Sequence, residues 1–288
     1  MGYLHISNLY KEQDILLFRR CYALEKVHGT SAHVAWGTTG ITFFSGGESH
    51  TRFVGLFDAA ALKDRFSALG HAAVTIYGEA YGGSQQGMRL VYGAELRFIA
   101  FDVQIGTYWL SVKDADQVCQ SLGIEFVPYE EIATELAEID RVRDQPSAVA
   151  VRRGTGADKP REGVVLRPLV EVTKNNGSRV IAKHKADTFA ERATPPKVVD
   201  AAKLEVLAAA EAIAQEWVTP MRLVHVLDKL GATEMSDVPG VIRAMIEDVF
   251  REAKGEIVES KDARSAIGKR TARLFKERLD QAITVSSV

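Results

Sequence analysis

The sequence predicts an α+β domain followed by a smaller all-helical one. Three observations carry this. Short runs of β-forming residues recur through the first two-thirds of the chain, between glycine turns and amphipathic stretches. Ala193-Thr194-Pro195-Pro196 then breaks the chain. Beyond it, apolar residues recur at helical spacing alone. The expected domains are 1–194 and 195–288, and 288 residues suffice for two ordinary domains.

Residues 20–45 read as two strands and a turn. Within them, 32–36 and 41–44 flank Gly37-Thr38-Thr39-Gly40, a hairpin signal. Residues 54–69 alternate at helical spacing and stop before Gly70. Residues 74–77 and 96–103 are short apolar runs of β-formers, so both predict strands. A helix is expected over 112–122, ended by Gly123, and a more acidic one over 130–142. Residues 164–169 and 180–182 return to strand. Four helices follow, at 198–217, 221–230, 241–254 and 263–283. There is no internal repeat and no low-complexity tract.

Composition narrows the function classes. No apolar run approaches the roughly 20 residues that span a bilayer, and no basic region precedes an apolar one at the N-terminus. Ile6 stands where a myristoylation pattern needs Ser or Thr. Cys21 and Cys119 are too few for a disulfide framework or a zinc site. A reducing, cytoplasmic setting with no membrane partner is therefore expected.

The net charge of −2 does not favour nucleic acid, but binding depends on local clusters. Lys261, Arg264, Lys269, Arg270, Arg273, Lys276 and Arg278 fall in one helical stretch, against only Asp262 and Glu277. A solvated helix face is the plain reading. The functional one makes Lys269, Arg270, Arg273 and Lys276 contacts to nucleic-acid phosphates.

The chemistry starts at Glu25-Lys26-Val27-His28-Gly29-Thr30, where a lysine ends the apolar run Cys21-Tyr22-Ala23-Leu24. A lysine amine is a poor nucleophile while protonated, with an ordinary pKa of about 10.4. Desolvation or neighbouring positive charge activates it. Taken alone, Lys26 is an edge-strand lysine that aids solubility. Four later segments change that weighting by recurring in a fixed order. They are Tyr77-Gly78-Glu79, Ala100-Phe101-Asp102, Glu162-Gly163-Val164-Val165-Leu166-Arg167 and Lys183-His184-Lys185. Lys183 and Lys185 alternate, so both can face one side of a strand. The loop 82–87 is glycine-rich but lacks the G-K-[ST] ending of a P-loop.

Together these segments resemble the covalent nucleotidyltransferase superfamily, and within it the RNA ligase 2 family. His28 is the sharpest point of resemblance, since DNA ligases and capping enzymes usually carry Asp there. Motifs carry the likeness over about residues 20–191. It implies a nucleotidyltransferase domain of antiparallel sheets and flanking helices, then a helical domain. DNA ligases and capping enzymes usually append an OB-fold instead.

The resemblance also implies roles. Lys26 would carry AMP covalently. Glu25, Val27, His28 and Gly29 would border the nucleotide, and Arg52 would clamp a phosphate. Glu79 would accept from ribose hydroxyls, while Phe101 and Val165 would cover the two faces of the adenine. Glu162 would hold hydrated Mg²⁺ or Mn²⁺, and Lys183 and Lys185 would face the phosphates. Family members often carry Asn where this chain has Ser31. The implied activity is ATP-dependent joining of RNA 3′-hydroxyl and 5′-phosphate ends, with a nicked duplex as the expected substrate and no obligate protein partner. Two alternatives are a nucleotide-responsive RNA-binding protein without turnover and a DNA ligase or capping-type enzyme.

Overall fold

The structure is a computed structural model that describes residues 2–191, 209–232 and 234–286. It divides into two compact units, Met1–Ala186 and Asp187–Val288. The boundary expected at 194 lies outside the described residues.

The first unit holds two antiparallel sheets. The first is ordered β7-β1-β8-β9, from β1 (Arg20–Lys26), β7 (Tyr129–Ala133), β8 (Gly163–Pro168) and β9 (Ala182–Lys185). The second is ordered β3-β2-β4-β5-β6, from β2 (Thr30–Gly37), β3 (Gly40–Phe44), β4 (Val74–Tyr81), β5 (Arg97–Ile105) and β6 (Tyr108–Trp109). Its helices are α1 (His50–Val54), α2 (Ala59–Ala68), α3 (Arg89–Tyr92), α4 (Val112–Leu122), α5 (Leu136–Arg143) and α6 (Ala148–Arg152). The architecture is the α+β class that the sequence predicts.

The core explains the sheet alternation. Ala32 and Val34 of β2 point inward with Val74 and Ile76 of β4, while their neighbours stay half-exposed. Trp36 stacks on Phe66 of α2 at 6.0 Å. Each such side chain taken from water stabilises the fold by about 1.5–3 kcal/mol. Cys21 to Leu24 are all buried, which fits an interior strand paired on both edges.

Three of the expected elements differ, and β6, α1, α3 and α6 are additional to them. The helix expected over 54–69 begins only at Ala59, because Asp58 takes an extended conformation and accepts from the Ala60 and Ala61 N–H groups to start α2. The helix expected over 130–142 is β7 followed by α5. Pairing with β1 overrides its helical pattern, and Arg20 Nε donates to Glu131 at 2.6 Å across that pair. The strand expected at 180–182 begins at Ala182 and runs on to Lys185. The hairpin and α4 match, with Gly123 left-handed at φ 71° after α4.

The second unit contains α7 (Ala210–Trp217), α8 (Pro220–Leu230), α9 (Val238–Glu252) and α10 (Lys261–Ser286). Trp217, Leu223, Met245, Val249, Ile267 and Phe275 are buried in its separate core. Thr219 caps α8, with Pro220 in the first turn. The helix expected from 198 is described only from Ala210, its earlier part lying outside the described residues. Among the described residues, no helix is long and apolar enough to cross a membrane.

Candidate active site

Sheet register assembles this site from distant residues. Lys26 stands opposite Gly163, and Gly163 opposite Lys185. Leu24, Val165 and Lys183 form the neighbouring row. Directly opposed residues share a face, as do residues two apart on a strand. Lys26, Val165, Lys183 and Lys185 therefore lie on one face. Gly163 has φ +147°, and a Cβ there would lie 2.2 Å from the His184 carbonyl oxygen. Only glycine lets the strands meet here. His184 points to the other face, where its Nε2 lies 2.7 Å from Asp140.

Glu162 is buried at the centre of this face. Its Oε2 accepts from Lys26 Nζ at 2.9 Å and lies 3.1 Å from His28 Nδ1. Its Oε1 lies 3.1 Å from Lys185 Nζ. Burial pushes the carboxyl up, but Lys26, Lys185 and His28 overcome that and hold it well below the usual carboxylate range. His28 is itself buried, and its backbone N–H donates to the Tyr92 hydroxyl at 3.3 Å. One anion thus faces two contacting ammonium groups, with Lys183 on the same face. That surplus positive charge suits a polyphosphate.

Glu79 forms the opposite side of the turn. Its Oε1 accepts from the Gly29 N–H at 3.1 Å. A Cβ at Gly29 would lie 2.3 Å from the Ala80 carbonyl oxygen, so this approach also requires glycine. Burial pushes the Glu79 carboxyl up to about 7, with Lys26 offsetting part of the rise. Glu79 therefore holds its proton more tightly folded than unfolded. Stability should fall as pH rises from about 4.5 and level off above about 7. Glu79→Gln should flatten that window in melting curves, raising the midpoint at pH 8 by a few degrees relative to wild type. An unchanged pH profile would remove the assignment.

Other expected site residues are placed differently. The Glu25 carboxylate anchors α6 by accepting from Ser147 Oγ at 2.5 Å and from the Ala148 and Val149 N–H groups at 2.9 and 3.3 Å. Arg161 lies 3.8 Å away. Val27 is buried in the core. Arg52 belongs to a second cluster, with its Nη1 3.2 Å from Glu48 Oε1, and Gln85 of the glycine-rich loop donates to Glu48 Oε2 at 2.6 Å.

Phe101 sits where the β4–β5 register shifts. Tyr77 opposes Asp102 and Gly78 opposes Ala100, so Phe101 is the extra residue of a bulge. That bulge re-aims its ring, which simple alternation does not anticipate. Sequence reasoning missed Tyr92, Ser147 and Arg161. Only Ser147 carries a signal, as a serine just before a short apolar helix.

In the second unit, Lys269, Arg273 and Lys276 are exposed on α10 at i, i+4 and i+7, which is one helix face. Arg270 points elsewhere. It is half-buried, and its Nε donates to the Val218 carbonyl at 2.9 Å beyond the end of α7.

A family model described as RNA ligase matches residues 19–185, more than half of the chain. The chain belongs to the RNA ligase family. No curated protein sequence matches it. Among solved structures it is similar to the Naegleria gruberi RNA ligase with PPi, at 16% identity and a TM-score of 0.51. It is also similar to mutants of that ligase with AMP and Mn, at a TM-score of 0.51, and with ATP and Mn, at 0.52, each at 15% identity. Each match covers 66% of this chain and 57% of the Naegleria chain. The likeness establishes the nucleotidyltransferase-type fold of RNA ligases. This chain spans a little over half the length of those proteins.

Proposed function

We propose that this chain is an ATP-dependent RNA ligase of the RNA ligase 2 type, sealing nicks in duplex RNA. The observation that supports this best is the Lys26–Glu162–Lys185–His28 cluster, assembled on one sheet face in a chain of this family. In the first step the neutral Lys26 amine attacks the α-phosphorus of ATP. An N–P bond forms as the bond to pyrophosphate breaks, leaving lysyl-AMP. An RNA 5′-phosphate oxygen then displaces Lys26 from that phosphorus. Finally the 3′-hydroxyl attacks the activated 5′-phosphate and expels AMP.

The protein positions the groups and balances charge. Lys183 and Lys185 neutralise phosphate oxygens, Glu79 accepts from the ribose, and Phe101 and Val165 enclose the adenine. Among the described residues, no group of three or more His, Cys, Asp or Glu side chains could hold a metal. One carboxylate still fits Mg²⁺ or Mn²⁺, because Mg²⁺ keeps most of its waters and takes substrate phosphates as ligands. A cation held by Glu162 would neutralise phosphate charge and draw away the anion that stabilises the Lys26 ammonium.

Incubation with α-labelled ATP and Mg²⁺, followed by denaturing electrophoresis, tests this reading. Label should stay on the protein with ATP and not with GTP. A protein that binds nucleotide without turnover would retain none.

The second unit is assigned to holding RNA through Lys269, Arg273 and Lys276. A chain ending near Arg192 should still label itself, because the residues of the nucleotide site all precede that point. It should fail to seal a nicked duplex. In the full chain, Lys269→Ala, Arg273→Ala and Lys276→Ala should each weaken duplex binding and lower the salt-dependence slope by about one unit. Sealing by the shortened chain at the full-length rate would assign the helices another task.

A further inference from the structure

The N-terminal segment lies outside the residues matched by the family model, yet it reaches the candidate site at two points. Its backbone joins the edge of β9: the Lys183 N–H donates to Ser7 O at 2.9 Å, and the Leu9 N–H to Lys183 O at 2.8 Å. Its Tyr3 ring lies against the second sheet, edge-on to Phe101 with centroids 4.9 Å apart. Tyr77 and Trp109 complete the surround at 5.1 and 5.6 Å.

The tyrosine is held at its other end too. Its hydroxyl donates to Asp102 Oδ2 at 2.5 Å and accepts from Arg179 Nη1 at 3.1 Å. Asp102 also accepts from Arg167 at 3.0 Å and from Arg179 at 2.5 Å. The Arg179 guanidinium stacks over Trp109 at 4.2 Å. This buried network fixes where the Tyr3 ring can be.

We propose that Tyr3 is a base-positioning residue, whose ring holds Phe101 in the orientation that stacks on the nucleotide base. The proposal rests on the reading of Phe101 as the stacking residue. A bulged residue lacks the regular pairing that usually restricts a strand side chain, so its ring takes its orientation from packing. A ring ordered before the base arrives loses less freedom on binding. That gain appears in ATP affinity, not in the attack by Lys26. It is absent for a ligand that has phosphates and no base.

The test uses the full chain. Initial rates of self-labelling are measured against ATP concentration, with inorganic tripolyphosphate as a base-free competitor. Tyr3→Ala should raise the KM for ATP about tenfold, the scale of an aromatic contact and an ordered ring together. Its kcat and its inhibition by tripolyphosphate should stay within about twofold of wild type, the scale of a lost surface contact. Tyr3→Phe keeps the ring but loses the hydroxyl that fixes it, so its KM for ATP should lie between those of wild type and Tyr3→Ala. If Tyr3→Ala fails to fold, Tyr3→Leu keeps bulk without the aromatic edge and carries the same expectation. An unchanged KM for ATP, an equal loss for ATP and tripolyphosphate, or a Tyr3→Phe defect as large as that of Tyr3→Ala would overturn the proposal. Absence of labelling in the wild-type chain would instead overturn the ligase reading, and this proposal with it.

Discussion

Lys26→Ala should abolish transfer of label from ATP to the protein, yet still seal RNA that already carries a 5′-adenylate. Both halves follow from the mechanism proposed above. The amine is the nucleophile in the first step and the leaving group in the second, and the third does not use it. Removing it also leaves Glu162 with one fewer cation, since Lys26 Nζ lies only 2.9 Å from its Oε2. Sealing of pre-adenylated RNA should therefore be slower than in wild type, but measurable. The decisive readout is the protein band after denaturation. Covalent label on Lys26→Ala would remove the residue from its role, whatever the sealing rate.

The second large effect is expected at Glu162. Its two oxygens organise Lys26, His28 and Lys185, so one substitution releases three groups at once. Preorganised charge in such sites is worth about 10²–10³ in rate per group. Glu162→Gln should lower self-labelling at least that far, because the amide keeps the shape and loses the charge. It also leaves buried ammonium and imidazole groups without their anion, so the thermal midpoint should fall. Raising Mg²⁺ or Mn²⁺ should not restore the rate. Near-normal labelling by Glu162→Gln would mean that this buried charge cluster serves the fold and not the chemistry. Lys183→Ala and Lys185→Ala should each lower the rate as well, since both act on phosphate charge.

Much of this arrangement is legible in the sequence, for physical reasons that differ by residue. Lys26 closely follows the apolar run Cys21-Tyr22-Ala23-Leu24, so its place near a strand terminus follows from that run. The alternation of Lys183 and Lys185 reports a shared face directly. The hairpin of β2 and β3 is announced by its turn. Long-range partners leave no such trace. Ser147 donates to Glu25 across 122 positions, and no local pattern encodes that pairing. The strand β7 was hidden because Glu130 and Glu131 favour a helix until β1 offers them a partner. The bulge at Phe101 is one residue of misregister, which an alternation argument cannot detect. The Glu79 carboxyl is pushed up to about 7 chiefly by burial, which no local pattern reports.

The cluster of Lys26, Glu162 and Lys185 joins parts of the chain that are made far apart in time. Its first ion pair spans 136 positions of chain, and Arg179 meets Tyr3 across 176. Loop closures this long delay folding, because entropy is lost before the contacts that offset it can form. During synthesis, β1 waits for β8, and the segment 7–9 waits for β9. On the proposed mechanism, a growing chain that lacks Lys185 should not adenylate itself, however well its second sheet has folded. The proposed activity would therefore arise late, as β9 closes over a chain whose beginning was made first.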